Sequence, residues 1–232
     1  MSEHTSKMFE AELEGIRTRV LQMGGMAELQ IVKAMEGLSE GDLLLIDQVI
    51  ENDSRINEME IELDQICNQV IAKRQPAAID LRMINTVQKT ITDLERIGDE
   101  AKKIAKTAKQ LHTSTSPFMP QIRLSHLADA VVDMLRMALD GYARLDTIAA
   151  AQVVRQDKEV DAEFKGIMRQ LITYMIEDPR TISQSIELMF VAKSLERIGD
   201  HAKNIAEYVV FMVKGRDVRH TSLEEIEREA TR

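Results

Sequence analysis

A repeated sextet constrains this chain more than any other feature, because it implies a fold built from two similar halves. The residues Leu-Glu-Arg-Ile-Gly-Asp occupy Leu94–Asp99 and again Leu195–Asp200, so the copies lie 101 positions apart in a chain of 232 residues. Around the sextets, ten of thirteen positions match between Asp93–Ala105 and Ser194–Ala206. An internal repeat of this kind determines the architecture before any local structure is considered.

The duplication reaches upstream of the sextets and divides the chain. Gly37 matches Gly141 and Asp53 matches Asp157, in both cases 104 positions later. The stretch Thr113–Pro117 is polar and ends in proline, so it is the candidate linker between the halves. We therefore divide the chain into a first repeat, a linker, a second repeat and a charged C-terminal tail, at residues 1–112, 113–118, 119–214 and 215–232.

Each half is predicted to contain three helices. Between residues 77 and 112, apolar or small side chains recur at alternating steps of three and four, the pattern of a helix that buries one face. The same pattern returns 101 positions later. We expect an all-α chain in which six long helices form two tandem three-helix bundles. The helical segments are predicted near residues 5–39, 43–73, 77–112, 119–150, 154–177 and 179–214.

Composition excludes several classes of protein. Hydrophobic residues make up 44% of the chain while aromatic residues make up 3%, which favours an aliphatic helical core over an all-β fold. A net charge of −9 argues against nucleic-acid binding, which needs clustered lysine and arginine. No apolar stretch reaches the roughly 18–20 residues that span a bilayer. The N-terminus lacks the apolar region of a signal peptide, so we expect a cytoplasmic protein that does not insert into membranes.

An acidic pair on a helix is the main candidate for chemistry in each half. Glu95 and Asp99 are four positions apart, as are Glu196 and Asp200, so each pair shares one helix face. Like charges at this spacing repel by roughly 0.2–0.5 kcal/mol, and the glycine inside each sextet costs about 1 kcal/mol relative to alanine. Two local penalties that recur in both halves need an offset, which marks these positions as functional candidates.

The preceding helix of each half carries a second pair. Asp157 and Asp161 are four apart, and the matching residues of the first half are Asp53 and Asn57. Antiparallel neighbouring helices would bring these side chains to the sextet carboxylates, and such a cluster would need a cation. Oxygen ligands suit Mg, Mn, Ca or Fe. The candidate metal ligands are Asp53, Asn57, Glu95, Asp99, Asp157, Asp161, Glu196 and Asp200.

Simpler interpretations remain open. Nearby lysines make an ordinary solvated face possible for the acidic pairs, and the glycines then only permit close helix approach. A carboxylate-bridged metal store or oxidase is a rival function, although the Glu-x-x-His spacing of ferritin-like enzymes is missing; a structural coiled coil is another. No phosphate loop, catalytic triad or paired-cysteine motif is present, so we expect a protein that is not an enzyme. We expect His201 at the surface and Cys67 in the core.

The two Glu-Arg-Ile-Gly-Asp segments, each preceded by an Asp-x-x-x-Asp or Asp-x-x-x-Asn helix, resemble the PhoU family of bacterial phosphate-uptake regulators. The resemblance covers roughly residues 8–214. It implies two three-helix bundles and a homodimer. It further implies a negative regulator of the phosphate-starvation response and of phosphate uptake. Such a regulator acts as an adaptor between the ATPase subunit of the phosphate ABC transporter and a sensor histidine kinase.

The same resemblance implies divalent or iron-type metal ions at the acidic pairs. Asn57 departs from the family pattern, because an amide oxygen can ligate a cation but contributes no charge. We therefore expect the first-half site to bind a cation more weakly than the second-half site.

Overall fold

The structure is a computed structural model that describes residues 2–114, 118–219 and 221–231, and nearly all of these residues are helical. This confirms the prediction of an all-α chain. A single 3-10 turn at Pro179–Thr181 precedes the sixth helix. The helices are α1 (Ser2–Glu40), α2 (Leu43–Arg74), α3 (Ala78–Thr113), α4 (Ser125–Arg144), α5 (Thr147–Glu177), α6 (Ile182–Lys214) and α7 (Leu223–Thr231).

Aspartate caps fix where the second helix of each repeat begins. The Asp42 carboxylate accepts hydrogen bonds from the backbone N–H groups of Leu44 and Leu45, at 3.0 and 3.1 Å. Asp146, 104 positions later, caps α5 in the same way. Such caps satisfy N–H groups that have no partner within the helix. The predicted break between residues 150 and 154 was therefore wrong, because α4 ends at Arg144 and α5 begins at Thr147. Shifting the first-repeat break at Asp42 by 104 positions would have placed it correctly, at Asp146.

The two repeats meet mainly through their third helices. Within each repeat all three helices pack against one another, and between repeats α3 packs on α6 and α1 on α4. The sextets lie on these two helices, and apolar residues in and just after them form a fully buried set. Its members, repeated at an offset of 101, are Leu94, Ile97, Ala101, Leu195, Ile198 and Ala202. Duplicated sequence has therefore produced a contact in which each repeat presents the same helix to the other.

Buried polar groups cross this contact in a reciprocal pattern. Asp93 and Ser194 are equivalent in the repeat, as are Glu100 and His201. His201 Nδ1 lies 2.7 Å from the Asp93 carboxylate, and the Ser194 hydroxyl donates to Glu100 at 2.8 Å. All four residues are buried. The expectation of a surface histidine was wrong, because the face of α6 that carries His201 packs against the other repeat.

The C-terminal segment and Cys67 are also packed. The Thr147 hydroxyl donates to the Ala230 carbonyl at 2.8 Å, and Ile226 of α7 is buried, so the segment expected as a charged tail includes a docked helix. Cys67 lies in the core as predicted, and burial raises the pKa of its thiol to about 12. Part of the predicted linker, residues 115–117, lies outside the described residues. Within the described ranges, no helix is long and apolar enough to cross a membrane.

Replacing Leu145 by glycine is expected to stabilise the protein. Leu145 holds a φ of +57° at the end of α4 and its side chain is 42% exposed, so leucine gains little from burial there. The left-handed conformation costs a non-glycine residue roughly 1–2 kcal/mol, part of which glycine returns as flexibility of the unfolded chain. Urea denaturation of Leu145→Gly should show a rise of about 0.5–1 kcal/mol in the free energy of unfolding.

The first repeat supplies the reverse control. Gly41 stands at the matching position with a φ of +72°, and a Cβ there would lie 3.0 Å from the His112 ring. Gly41→Leu should therefore destabilise the protein. A lower stability for Leu145→Gly than for the parent chain would contradict this account of the turn.

Candidate functional site

The sextet glycines let the acidic helices approach their neighbours closely. A Cβ built on Gly98 would lie 3.0 Å from Ile56 and 3.8 Å from the Asp53 carboxylate of α2. A Cβ on Gly199 would lie 3.4 Å from Val160 of α5. The contact with Ile56 is tighter than ordinary packing, so the glycine allows Ile56 of α2, one turn after Asp53, to lie against α3. Close approach of helices, raised above as the simpler role of the glycines, is therefore part of how the site is built.

A lysine from the third helix of each repeat reaches the buried aspartate of the second helix. Lys102 Nζ lies 2.6 Å from Asp53 Oδ2, and Lys203 Nζ lies 2.7 Å from Asp157 Oδ2. Lys102 and Lys203 are 101 positions apart and therefore equivalent. Each aspartate is at least nine-tenths buried, and burying a carboxylate requires a partner of opposite charge. The ion pair is thus a duplicated feature, and the repeated lysines were the sequence signal for it.

In the first repeat, two oxygens of the predicted ligand set are left without partners. Asn57 Nδ2 lies 3.4 Å from Asp53 Oδ2, in a weak hydrogen bond. Asp53 Oδ1 and Asn57 Oδ1 are buried, and no described residue hydrogen-bonds to either atom. Unpaired buried acceptors are uncommon in folded proteins and call for an explanation such as a bound ion. These oxygens are of the type that hard cations prefer.

The first-repeat carboxylates lie close enough to perturb one another. Burial raises the pKa of Glu95, and the negative charges of Asp99, Glu60 and Asp53 add to the rise. Glu60, on α2, was missed by sequence reasoning; its carboxylate accepts from the Thr92 hydroxyl at 3.1 Å. Its equivalent in the second repeat is a phenylalanine, so the comparison of the two halves concealed it.

The second-repeat pairs are more fully engaged by lysines. Glu196 pairs with Lys193 on its own helix, and Asp161 lies 4.0 Å from Lys165. Burial raises the pKa of Asp200, and the charges of Glu196 and Asp157 raise it further. The structure therefore brings Asp157, Glu196 and Asp200 close enough for their charges to interact, whereas the ion-pair partner of Asp161 is Lys165.

Glu207, two helical turns after Asp200 on α6, also interacts with the charge of Asp157. Its side chain is 7% exposed, and burial, assisted by the charge of Asp157 against that of Lys203, raises its pKa to about 7. Sequence reasoning missed Glu207 because the equivalent first-repeat residue is Lys106. The one sign of its role is that Glu207 is buried where α6 faces α5. Recognising this requires knowing how the two helices are aligned, which the sequence does not give.

The predicted acidic residues do not form a complete metal-binding site in this structure. In the part of the chain that the structure describes, no three Asp, Glu, His or Cys side chains are grouped so as to hold a metal ion. The carboxylate and amide oxygens nevertheless fit a hard cation chemically, and the first repeat has buried acceptors to spare. The eight predicted ligands and the expected weaker first site therefore stay predictions.

Comparison with known proteins agrees with this architecture. The PhoU domain model matches residues 20–108 and 124–209, one match in each half. The chain is 46% identical over 229 residues to the phosphate-specific transport system accessory protein PhoU homolog of Pseudomonas putida, with 99% of this chain and 90% of that protein covered. It is 44% identical to the accessory protein PhoU of Escherichia coli, covering 98% of this chain and 94% of that one.

Solved structures show the same fold. The crystal structure of PhoU from Pseudomonas aeruginosa superposes with a TM-score of 0.85 at 46% identity, covering 90% of this chain and all of that one. A PhoU from Streptococcus pneumoniae, at 23% identity, shares the fold with a TM-score of 0.84 over 90% of this chain and 99% of that one. The fold, the duplicated acidic helices and the full-length identity agree. The chain therefore belongs to the PhoU family, a non-enzymatic family of phosphate-specific transport system accessory proteins.

Proposed function

We propose that this protein is a helical adaptor in the cytoplasm that represses phosphate uptake and the phosphate-starvation response. Its partners are the ATPase subunit of the phosphate ABC transporter and a sensor histidine kinase, and it works as a homodimer. The observation that carries the proposal is 44–46% identity, over almost the whole chain, to accessory proteins of the phosphate-specific transport system. The duplicated acidic helices at the centre of both repeats support it.

An apolar surface at one end of the second repeat is suited to holding a partner. The last turns of α5 and the first turns of α6 expose five large apolar side chains, with Ile176 76% and Phe190 59% exposed. Exposed apolar clusters on a folded protein mark interaction sites. We call this set the hairpin-tip patch; its members are Ile172, Ile176, Ile182, Ile186 and Phe190.

The first repeat does not share this surface. Its residues at the equivalent positions are Asn68, Ala72, Leu81, Asn85 and Lys89, of which only leucine is a large apolar residue. Since the two halves descend from one sequence, the core positions have kept their apolar character while this surface has diverged. That divergence supports a recognition role confined to the second repeat.

A cation at the acidic pairs is the second part of the proposal. Asp53, Asn57, Glu95 and Asp99 would hold it in the first repeat, with their counterparts doing so in the second. The cation would neutralise repelling carboxylates and join the second and third helices of a repeat. Lys102 and Lys203 now supply part of that neutralisation, so a cation would compete with a lysine ammonium for the buried aspartate.

Removing two of the second-repeat carboxylates should abolish cation binding there. Asp161→Ala/Asp200→Ala should contain less metal than the parent protein after purification without chelators, as measured by elemental mass spectrometry. The variant should keep its helical circular dichroism, because Asp161 and Asp200 are only partly buried. Glu159→Ala/Glu177→Ala removes the same charge from exposed positions of α5 and should leave the metal content unchanged. Equal metal content in all three proteins would refute the cation site.

Charged residues in the hairpin-tip patch should abolish regulation. In a strain whose own copy of the gene is deleted, Ile176→Asp/Phe190→Asp should fail to repress a reporter that phosphate starvation induces, although phosphate is plentiful. A buried aspartate without a partner is costly, so the mutated patch should no longer hold its partner. Ile61→Asp, at a 58% exposed position of α2, is the control and should repress normally. Full repression by the patch variant, at parental protein levels, would contradict the proposed docking role.

A further inference from the structure

A second candidate site lies where α3 meets the end of α6, away from the acidic pairs. A cleft of about 540 Å³ is lined there by Lys89 and Arg96 of α3, by Tyr208 and Phe211 of α6, and by Arg219 beyond α6. Small-molecule sites usually occupy about 300–1,000 Å³. The cleft is therefore large enough for a ligand of moderate size, and neither the family comparison nor the proposed function uses it.

Three cations converge on this cleft in a chain whose net charge is −9. Lys89 Nζ lies 5.5 Å from the ring centre of Tyr208 and 5.6 Å from that of Phe211, so it rests on two aromatic faces. Arg96 is exposed, and no described residue forms an ion pair or hydrogen bond with its side chain. Arg96 is therefore available to an anion.

The third cation is held in position by the chain itself. The Asp217 carboxylate accepts hydrogen bonds from the Arg219 guanidinium, with Nε 3.0 Å from Oδ1, and this contact lowers the pKa of Asp217 to about 2. Two other carboxylates line the cleft, and both already accept hydrogen bonds. Asp64 accepts from Gln88 at 2.8 Å, and Asp93 accepts from Asn204 and lies 2.7 Å from His201.

Most residues of the cleft differ from their equivalents in the other repeat, so the cleft does not simply follow from the duplication. On α6, the equivalents of Asn85, Gln88 and Lys89 are Ile186, Met189 and Phe190. On α3, the equivalents of Tyr208 and Phe211 are Thr107 and Gln110. Lys89 and the amide side chains of α3 thus meet the rings of α6 on one side of the pseudosymmetric contact, whereas Arg96 has a cationic equivalent, Arg197, in the second repeat.

We propose that this cleft binds a nucleotide, with its phosphates on the cationic side chains and its base against the aromatic rings. Arginine and lysine are the usual ligands of phosphate groups, and arginine binds them in a bidentate geometry. Aromatic side chains stack on nucleobases with little regard to base identity. Asn85, Gln88 and Asp64 offer hydrogen bonds to the base or sugar. A bare phosphate ion would leave the rings and amides unused, and for this reason the cleft points to a nucleotide.

Isothermal titration of the full-length protein tests the inference. ATP is titrated in the presence of EDTA, so that magnesium cannot join the nucleotide to the acidic pairs, and adenosine and inorganic phosphate are titrated separately. We expect saturable binding of one ATP per chain. Adenosine and phosphate should each bind at least about tenfold more weakly, because each makes only part of the contacts.

Variants locate the site. Lys89→Gln and Arg96→Gln should each weaken ATP binding by about tenfold, the usual effect of losing one charged hydrogen bond. Phe211→Leu should weaken ATP while leaving the weaker phosphate binding unchanged. Lys106→Gln removes the same charge from an exposed position of α3 outside the cleft and should bind ATP as the parent does. Circular dichroism and urea denaturation establish that each variant is folded.

Three results would overturn the inference. They are the absence of saturable ATP binding, phosphate or adenosine binding as tightly as ATP, and Lys106→Gln weakening ATP as much as the cleft variants do. None of these outcomes bears on the hairpin-tip patch or on cation binding at the acidic pairs, so this proposal and the proposed function fail separately.

Discussion

The contact of α3 with α6 is the interaction on which the rest of the structure depends. It joins the two helices that carry the sextets, whose apolar positions are fully buried, and each repeat offers the other the same helix. Two polar pairs, Asp93 with His201 and Glu100 with Ser194, cross it in reciprocal fashion. Buried polar groups are costly unless paired, so these contacts restrict the helices to one register. A slip by one turn would separate both pairs at once.

The acidic pairs and the nucleotide cleft are both positioned by this contact. The acidic pairs lie on the same two helices, where α3 meets α2 and α6 meets α5. There Lys102 and Lys203 bridge to the buried aspartates of the neighbouring helix. The nucleotide cleft lies at the margin of the same contact, between α3 and the end of α6. Duplication is expected to leave the two repeats with the same helix packing but different surfaces. Core residues are constrained by the close packing of their neighbours, while surface residues are free to change.

The sequence predicted the fold well, because a repeated pattern of apolar residues reports helix number and pairing directly. It even contained the correct break before α5, since the Gly41-Asp42 turn shifted by 104 falls at Leu145-Asp146. The candidate site was only partly predictable. Periodicity gives the face on which Glu95 or Asp200 lies, but not which lysine crosses from the next helix, nor which neighbour covers His201. Glu60 and Glu207 escaped notice because each has a different residue at the equivalent position of the other repeat.

A double-mutant cycle across the repeat contact tests the central claim most directly. Urea denaturation of Glu100→Ala, Ser194→Ala and the double variant measures how far the two side chains stabilise each other. A charged hydrogen bond buried between the repeats predicts a coupling of at least about 1 kcal/mol, since Glu100→Ala leaves the buried Ser194 hydroxyl without its acceptor. Additive effects within about 0.3 kcal/mol would mean that Glu100 and Ser194 do not stabilise each other across the contact, and would contradict the account.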